Sequence, residues 1–227
     1  DITKCKTYEE YLSMAESSLN ITYIPAAKLA GEELEKRLGT KHLYLPLCYG
    51  YDEIEENYSR LCAELGVETP DFSADREDAD KALANALETV GDIPIAVDYT
   101  ALPRPLGFCR LLAEKGFNVK RCYADSFSEE ERADFEWLKA HCPDLEIFPT
   151  VNVKMEFSHC EEKYLAVGQK ATFFCQTDNF VDIVAGGGGY GFEGIKRLAE
   201  LMAEGAVNKK DRRKVIQHKG WGCESCL

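Results

Sequence analysis

Long apolar runs are absent from this 227-residue chain: its most apolar stretch, 180–192, is broken by Asp182 and five glycines, short of the roughly 18 uninterrupted residues a bilayer-spanning helix needs. No membrane association is expected. Positive charge is scarce as well, since 27 basic against 40 acidic residues leave a formal net charge of −13. Such a surface repels phosphate backbones and anionic lipid, so nucleic acid is not an expected partner. The one basic cluster lies at 209–219, and its run 209–214 reads as a solvated linker rather than a docking patch. Asp1 is not an initiator methionine, and the first six residues lack the charged-then-apolar layout of a signal peptide. A piece of a longer, cytoplasmic protein is therefore expected. Apolar residues are plentiful at 45%, enough for one large core or two smaller ones. Eight of the ten cysteines are scattered singly, which suits reduced thiols such as Cys62 and Cys109 on apolar helix faces better than a disulfide framework.

The hydropathy pattern alternates between strand and helix. Residues 19–24 read as a buried strand, and Pro25 opens a helix that stops at Gly39. Residues 42–47 form the next strand. Asp52 and Glu55 have capping-box spacing for a helix with Ile54, Tyr58, Leu61, Cys62 and Leu65 on one face, ended by Gly66. A further helix carries Ala79, Leu83, Ala86 and Val90 to Gly91. Strand 93–98, helix 105–115, strand 117–123, a helix capped by Ser128 and Glu131, and strand 145–148 follow. The spacing of Tyr164, Val167, Ala171 and Phe174 favours a helix over 161–175, although 171–175 alone could be a strand. A strand at 181–185 and a helix from Phe192 to a stop at Gly205 complete the pattern. Alternation of this kind implies parallel sheets flanked by helices. The predicted class is α/β with two Rossmann-like parallel-sheet domains, residues 1–91 and 92–205, followed by a basic, cysteine-containing tail, 206–227.

Three segments carry candidate chemistry. Residues 185–194, Ala-Gly-Gly-Gly-Gly-Tyr-Gly-Phe-Glu-Gly, lie between strand and helix and match G-x-G-x-x-G twice. Glycines there let backbone N–H groups approach an anionic ligand, which makes Gly187, Gly188, Gly189, Tyr190 and Gly191 candidate cofactor-binding residues. A tight turn that needs glycine only for sterics is the plain alternative. A nicotinamide dinucleotide would also require a following strand with an acidic residue, and the basic tail stands there instead. Thr100 and Arg104 follow the strand 93–98 at the end where open parallel sheets bind ligands; the alternative is a surface turn with Arg104 in solvent. Asp182, if buried in a strand, needs a partner. Cys223 and Cys226 have C-x-x-C spacing for zinc, part of an iron–sulfur cluster or a redox disulfide. Further ligands would have to come from His218, His141–Cys142 or His159–Cys160.

Taken together, the segment from Leu19 to Leu65, the helix–glycine–strand passage from Pro105 to Val119 and the turn Gly189-Tyr-Gly-Phe-Glu-Gly194 resemble, in that order, the nitrogenase component 1 family over roughly residues 10–205. The resemblance implies subunits of three α/β domains meeting around a metallocluster or substrate, and this chain is similar to the later two. It implies an oxidoreductase that accepts low-potential electrons from an ATP-dependent iron–sulfur reductase and pairs with a homologous component 1-like subunit. An iron–sulfur or related metallocluster is implied for the full-length protein. The family's cofactor cysteine and histidine correspond here to Tyr23 or Ile24 and to Tyr190, which offer no thiolate or imidazole. A molybdenum–iron cofactor held in that manner, and nitrogen fixation, are therefore not expected. The alternative is a non-catalytic scaffold for a metallocluster or anion, or a structural partner subunit.

Overall fold

The computed structural model describes residues 4–152, 154–155, 160, 163–184 and 189–213. After a short helix, α1 (Tyr8–Leu12), the strands β1 (Leu19–Thr22) and β2 (Lys41–Tyr44) pair in parallel, joined by α2 (Pro25–Leu38). Pro25 supplies the helical φ at the first position, and Gly39 ends α2 in the left-handed conformation at φ 72°. Gly31 lets α2 close onto β2: a Cβ there would sit 2.2 Å from Nε2 of His42, a nitrogen that also pairs with the Thr22 hydroxyl at 2.7 Å.

The helices α3 (Tyr51–Leu65) and α4 (Ser73–Val90) follow, and then a five-stranded parallel sheet begins. Its strands are β3 (Ile95–Asp98), β4 (Val119–Tyr123), β5 (Glu146–Phe148), β6 (Leu165–Val167) and β7 (Phe180–Val181), in the order β5-β4-β3-β6-β7. The crossovers are α5 (Pro105–Glu114), α6 (Arg132–His141) and α7 (Gln169–Cys175), and α8 (Gly191–Val207) follows β7. Successive strand residues point to opposite faces. Ile95, Val97, Cys122, Leu165, Val167 and Val181 enter one core, whereas Ala96, Tyr123, Ala166 and Phe180 enter a second beneath α7. The larger core also holds Ile54 of α3, the face Ala79, Leu83, Ala86 and Val90 of α4, and the face Ile195, Leu198, Ala199 and Met202 of α8. Two helices that precede the five-stranded sheet in sequence thus share its core. The class is α/β with parallel sheets, as the alternation predicts.

Several local expectations are corrected. Helix α3 starts at Tyr51 with Gly50 as its cap, so Asp52 lies inside the helix and forms no capping box. Asp52 and Glu55 instead bind the Arg76 guanidinium of α4. The Ser128 side chain makes no cap bond either, because Glu131 reaches away to accept the Leu106 amide at 2.9 Å. The predicted helix 161–175 divides into β6 and α7 at Gly168, whose φ of 108° no helix accommodates. The strand predicted at 181–185 is Phe180–Val181, and Asp182 is exposed beyond it. Gly205 does not stop α8, which runs to Val207. It serves close packing, since a Cβ there would lie 3.0 Å from the Phe180 carbonyl oxygen. The Asn179 amide donates to the Gly205 and Ala206 carbonyls at 3.0 and 2.9 Å, satisfying acceptors that the helix end leaves open.

Candidate functional site

In the order β5-β4-β3-β6-β7 the chain winds outward in one direction from β3 and in the other from β6. Loops leaving the carboxyl ends of β3 and β6 therefore diverge, and a crevice at that edge is where open α/β sheets take ligands. Asp98 ends β3 at this point and is fully buried. Its Oδ1 accepts the Thr100 amide at 2.8 Å, the Thr100 hydroxyl at 2.5 Å and the Ala101 amide at 3.1 Å. Its Oδ2 accepts the Ala171 amide in the first turn of α7 at 2.8 Å. Burial pushes the carboxyl up, and these four donors pull against it. Gly168 makes room: a Cβ there would lie 2.3 Å from Asp98 Oδ2. The helix start that faces this crevice is thus occupied by an internal carboxylate. Thr100, a sequence-predicted site residue, serves as a donor to it.

Beside Asp98 lies a polar cluster drawn from four consecutive positions along the edge. The Lys170 ammonium, at the start of α7, donates to the Tyr99 hydroxyl at 2.6 Å and the Thr150 hydroxyl at 2.7 Å. It stands 3.9 Å from Asp125 Oδ2. The Thr150 hydroxyl donates to Asp125 Oδ2 at 2.7 Å, and the Val151 amide donates to Oδ1 at 3.0 Å. Burial alone would raise the Asp125 carboxyl, but the Thr150 hydroxyl and the Val151 amide outweigh it and hold the group low. Tyr99, Asp125, Thr150 and Lys170 follow β3, β4, β5 and β6, so the parallel sheet itself brings them together. A quarter of the Lys170 side chain is exposed to solvent. On the other side, Gln169 donates to Asp182 at 3.0 Å, linking α7 to the segment that leaves β7 towards the glycine-rich turn. None of these four residues stands out in the sequence. The available signal was position, one to three residues past each strand, and the merged helix 161–175 concealed it for Lys170.

Of the glycine-rich turn, Gly187 and Gly188 lie outside the described residues. Tyr190 and Gly191 pack against protein, whereas a Cβ on Gly189 would meet nothing within 4 Å. A Cβ on Gly194 would come within 2.3 Å of the Gly189 carbonyl carbon, and one on Gly191, at φ 68°, within 2.5 Å of the Tyr58 hydroxyl. Close packing thus accounts for Gly191 and Gly194 of the second G-x-G-x-x-G match, but not for Gly189. Tyr190 precedes α8 and meets Tyr58 edge-on, ring centroids 6.1 Å apart. Its hydroxyl is buried with no hydrogen-bond partner among the described residues, and burial raises its pKa.

Arg104 is not in solvent. It is 3% exposed, donating from Nη1 to the Leu47 carbonyl at 3.0 Å and from Nη2 to the Glu130 carbonyl at 3.0 Å and Asp134 at 3.1 Å. The guanidinium thereby ties the segment after β2 to the start of α6. Nearby, Glu131 is buried, and burial, resisted by the Leu106 amide and by Arg104, pushes its carboxyl from 4.5 up to about 7. The folded state therefore keeps this proton where the unfolded chain has lost it. Its contribution is fully present below pH 4.5 and is lost as pH rises through 7. Glu131→Gln should remove that slope and stabilise the protein by about 2 kcal/mol at about pH 8. Urea titrations of both proteins at acidic and alkaline pH check this; equal stability at the alkaline end would refute it.

A groove of about 370 Å³ lies between the residues opening α3 and the faces of α5 and α6, lined by Tyr49, Glu53, Arg76, Arg110, Lys115 and Asp134 among others. No sequence-predicted site residue borders it. Among the described residues no group of three or more His, Cys, Asp or Glu side chains could hold a metal ion. Cys223, Cys226, His218 and His159 lie outside the described residues. His141 is engaged with the Trp137 carbonyl at 2.8 Å. The eight described cysteines are free thiols; Cys109 is buried in the core and Cys62 partly so.

Compared with known proteins, residues 2–204 match the family model described as nitrogenase component 1 type oxidoreductase. Among solved structures, one titled "Nitrogenase Cp1 at pH 6.5" is similar in fold, with a TM-score of 0.59 and 15% identity. The match covers 90% of this chain and 47% of that one, so the chain spans about half the length of its neighbour. A search of curated proteins finds no match.

Proposed function

Because the chain belongs to the nitrogenase component 1 type oxidoreductase family, we propose that it is part of an oxidoreductase subunit whose acceptor lies along the carboxyl edge of the five-stranded sheet. In the full-length protein, low-potential electrons arrive from an ATP-dependent iron–sulfur reductase, and a homologous subunit completes the assembly. The observation that carries this reading is the convergence of Tyr99, Asp125, Thr150 and Lys170 from four successive loops of a parallel sheet. An acceptor that gains electrons gains negative charge, and a fixed ammonium held by two hydroxyls stabilises that charge before and after transfer. Tyr99 and Thr150 keep the Lys170 head in place. The glycine-rich turn, of which Gly189, Tyr190 and Gly191 are described, is the proposed neighbouring wall. Thr100 supports it indirectly through Asp98, and Arg104 holds the helices behind it.

A metallocluster has no donor set among the described residues, and that observation favours a second reading. The protein would be a non-catalytic scaffold or structural partner of a catalytic subunit, with any cluster ligands, Cys223 and Cys226 included, outside the described part. Anaerobic purification of the full-length protein separates the two. A brown chromophore with an iron signal that changes on adding reductant supports the oxidoreductase; a colourless, unresponsive protein supports the scaffold. In the first case Lys170→Met should lower reductant-dependent turnover by about tenfold to a hundredfold, the loss of one charge-assisted contact. Unchanged turnover in that variant would remove the carboxyl-edge cluster from the mechanism.

A further inference from the structure

Beneath α7, on the face of the sheet away from the larger core, two thiols lie beside one arginine. Arg121 of β4 donates from Nη1 to the Cys160 sulfur at 2.8 Å. The same Nη1 stands 3.4 Å from the Tyr123 hydroxyl, which in turn lies 3.6 Å from the sulfur of Cys175 at the end of α7. The guanidinium is held by Glu146 at 3.4 Å and packs over the rings of Phe148 and Tyr164. Cys160 is partly exposed, whereas Cys175 is buried. Cys160 is thus the more accessible residue of the two to a small oxidant.

From this juxtaposition we infer that Cys160 and Cys175 form a peroxide-reactive thiol pair, Cys160 being oxidised first and Cys175 resolving it to a disulfide. The Cys160 thiolate sulfur attacks one oxygen of a hydroperoxide, the O–O bond breaks, and the leaving oxygen takes a proton to depart as water or an alcohol. Cys160 is left as the sulfenic acid. The Cys175 sulfur then attacks the Cys160 sulfur; the S–O bond breaks, water leaves with the Cys175 proton, and the S–S bond forms. The two electrons lost by the thiols have gone to the peroxide.

The electrostatics agree with these roles. The Cys175 thiol beside it, and then Arg121, lower the Cys160 thiol to about 6 against the opposing effect of burial. The Cys160 neighbour and burial push Cys175 up, so it retains its proton until attack. A second thiol pair in the core supplies an internal contrast. Cys109 and Cys122 are both fully buried, and Cys122 is driven well above its ordinary value, so neither should react. Because α7 begins with Gln169 and Lys170 and ends with Cys175, a bridge at its far end also restrains the helix that lines the carboxyl edge.

The experiment is peptide mapping of the native full-length protein after brief treatment with about one equivalent of hydrogen peroxide. The expected product is a Cys160–Cys175 disulfide, with Cys109 and Cys122 remaining thiols. Cys175→Ser should instead accumulate a sulfenic acid on Cys160 that dimedone traps. Without peroxide, Cys160 should alkylate with iodoacetamide near pH 7 about tenfold faster than the partly exposed Cys62 and Cys142. A wild-type map with no bridge between the two, or with Cys160 oxidised no faster than Cys62, overturns the assignment. These readouts concern thiols alone, and their outcome does not depend on electron transfer at the carboxyl edge.

Discussion

Arg104→Ala is expected to lower the unfolding free energy by about 3–5 kcal/mol. The guanidinium is almost wholly buried and satisfies acceptors from two separate segments, the Leu47 carbonyl and the Glu130 carbonyl, as well as the Asp134 carboxylate. Truncation leaves two carbonyls without this donor and leaves Asp134 with Arg110 alone, at 3.3 Å. A buried acceptor stripped of its donor costs more than the bond was worth when made. Arg104→Lys should recover only part of the loss, because one ammonium cannot reproduce the planar fork that reaches three acceptors. Urea unfolding with a comparison of midpoints and slopes measures both variants. A loss below about 1 kcal/mol for the alanine variant would show that water replaces the guanidinium at no cost and that the two segments are joined by other means.

Gly168→Ala should cost about 3 kcal/mol, for two reasons that act together. The backbone there has φ 108° and ψ 164°, a region essentially restricted to glycine. The added methyl would also lie within 2.3 Å of the Asp98 carboxylate, which cannot retreat without abandoning the amides of Thr100, Ala101 and Ala171. Gly39→Ala supplies the control: its φ is also positive, at 72°, but a methyl there meets nothing within 4 Å, so only the conformational cost of about 1 kcal/mol should appear. Amide hydrogen exchange adds a local readout. In the Gly168 variant the Ala171 amide should lose protection ahead of the rest of the sheet, since its acceptor is the group displaced. If the two glycine variants prove equally stable, the Asp98 carboxylate is not confined as described and the crevice between β3 and β6 is open to a ligand after all.

The same carboxylate explains what the carboxyl edge offers. A free helix start at a sheet's switch point would draw an anion to its amides, but here Asp98 already takes the Ala171 amide. The positive charge that remains belongs to Lys170, one residue earlier, and is displayed by Tyr99 and Thr150. Acceptor recognition in the proposed function therefore rests on a side chain rather than on backbone amides of α7.

Most elements were legible from spacing alone. Pro25 and Gly39 bracket α2, Gly66 ends α3, and the faces Ala79–Leu83–Ala86–Val90 and Ile195–Leu198–Ala199–Met202 declare amphipathic helices, because helix period and helix punctuation are local properties of the chain. The α/β class and the pairing of strands through crossover helices follow from that order. Capping boxes at Asp52 and Ser128 did not materialise, since competing partners, Arg76 and the Leu106 amide, lie far away in sequence. The division of 161–175 at Gly168 was hidden for the same reason: the glycine is required by Asp98, seventy residues earlier. Composition and periodicity, which each residue carries with its neighbours, thus determined the class, the helices and the approximate strands of this protein. Which carboxylate fills a helix start, which arginine is buried as a tie, and that Tyr99, Asp125, Thr150 and Lys170 meet, only the tertiary structure decided, because those are contacts between distant segments whose partners exist only once the sheet has set its strand order.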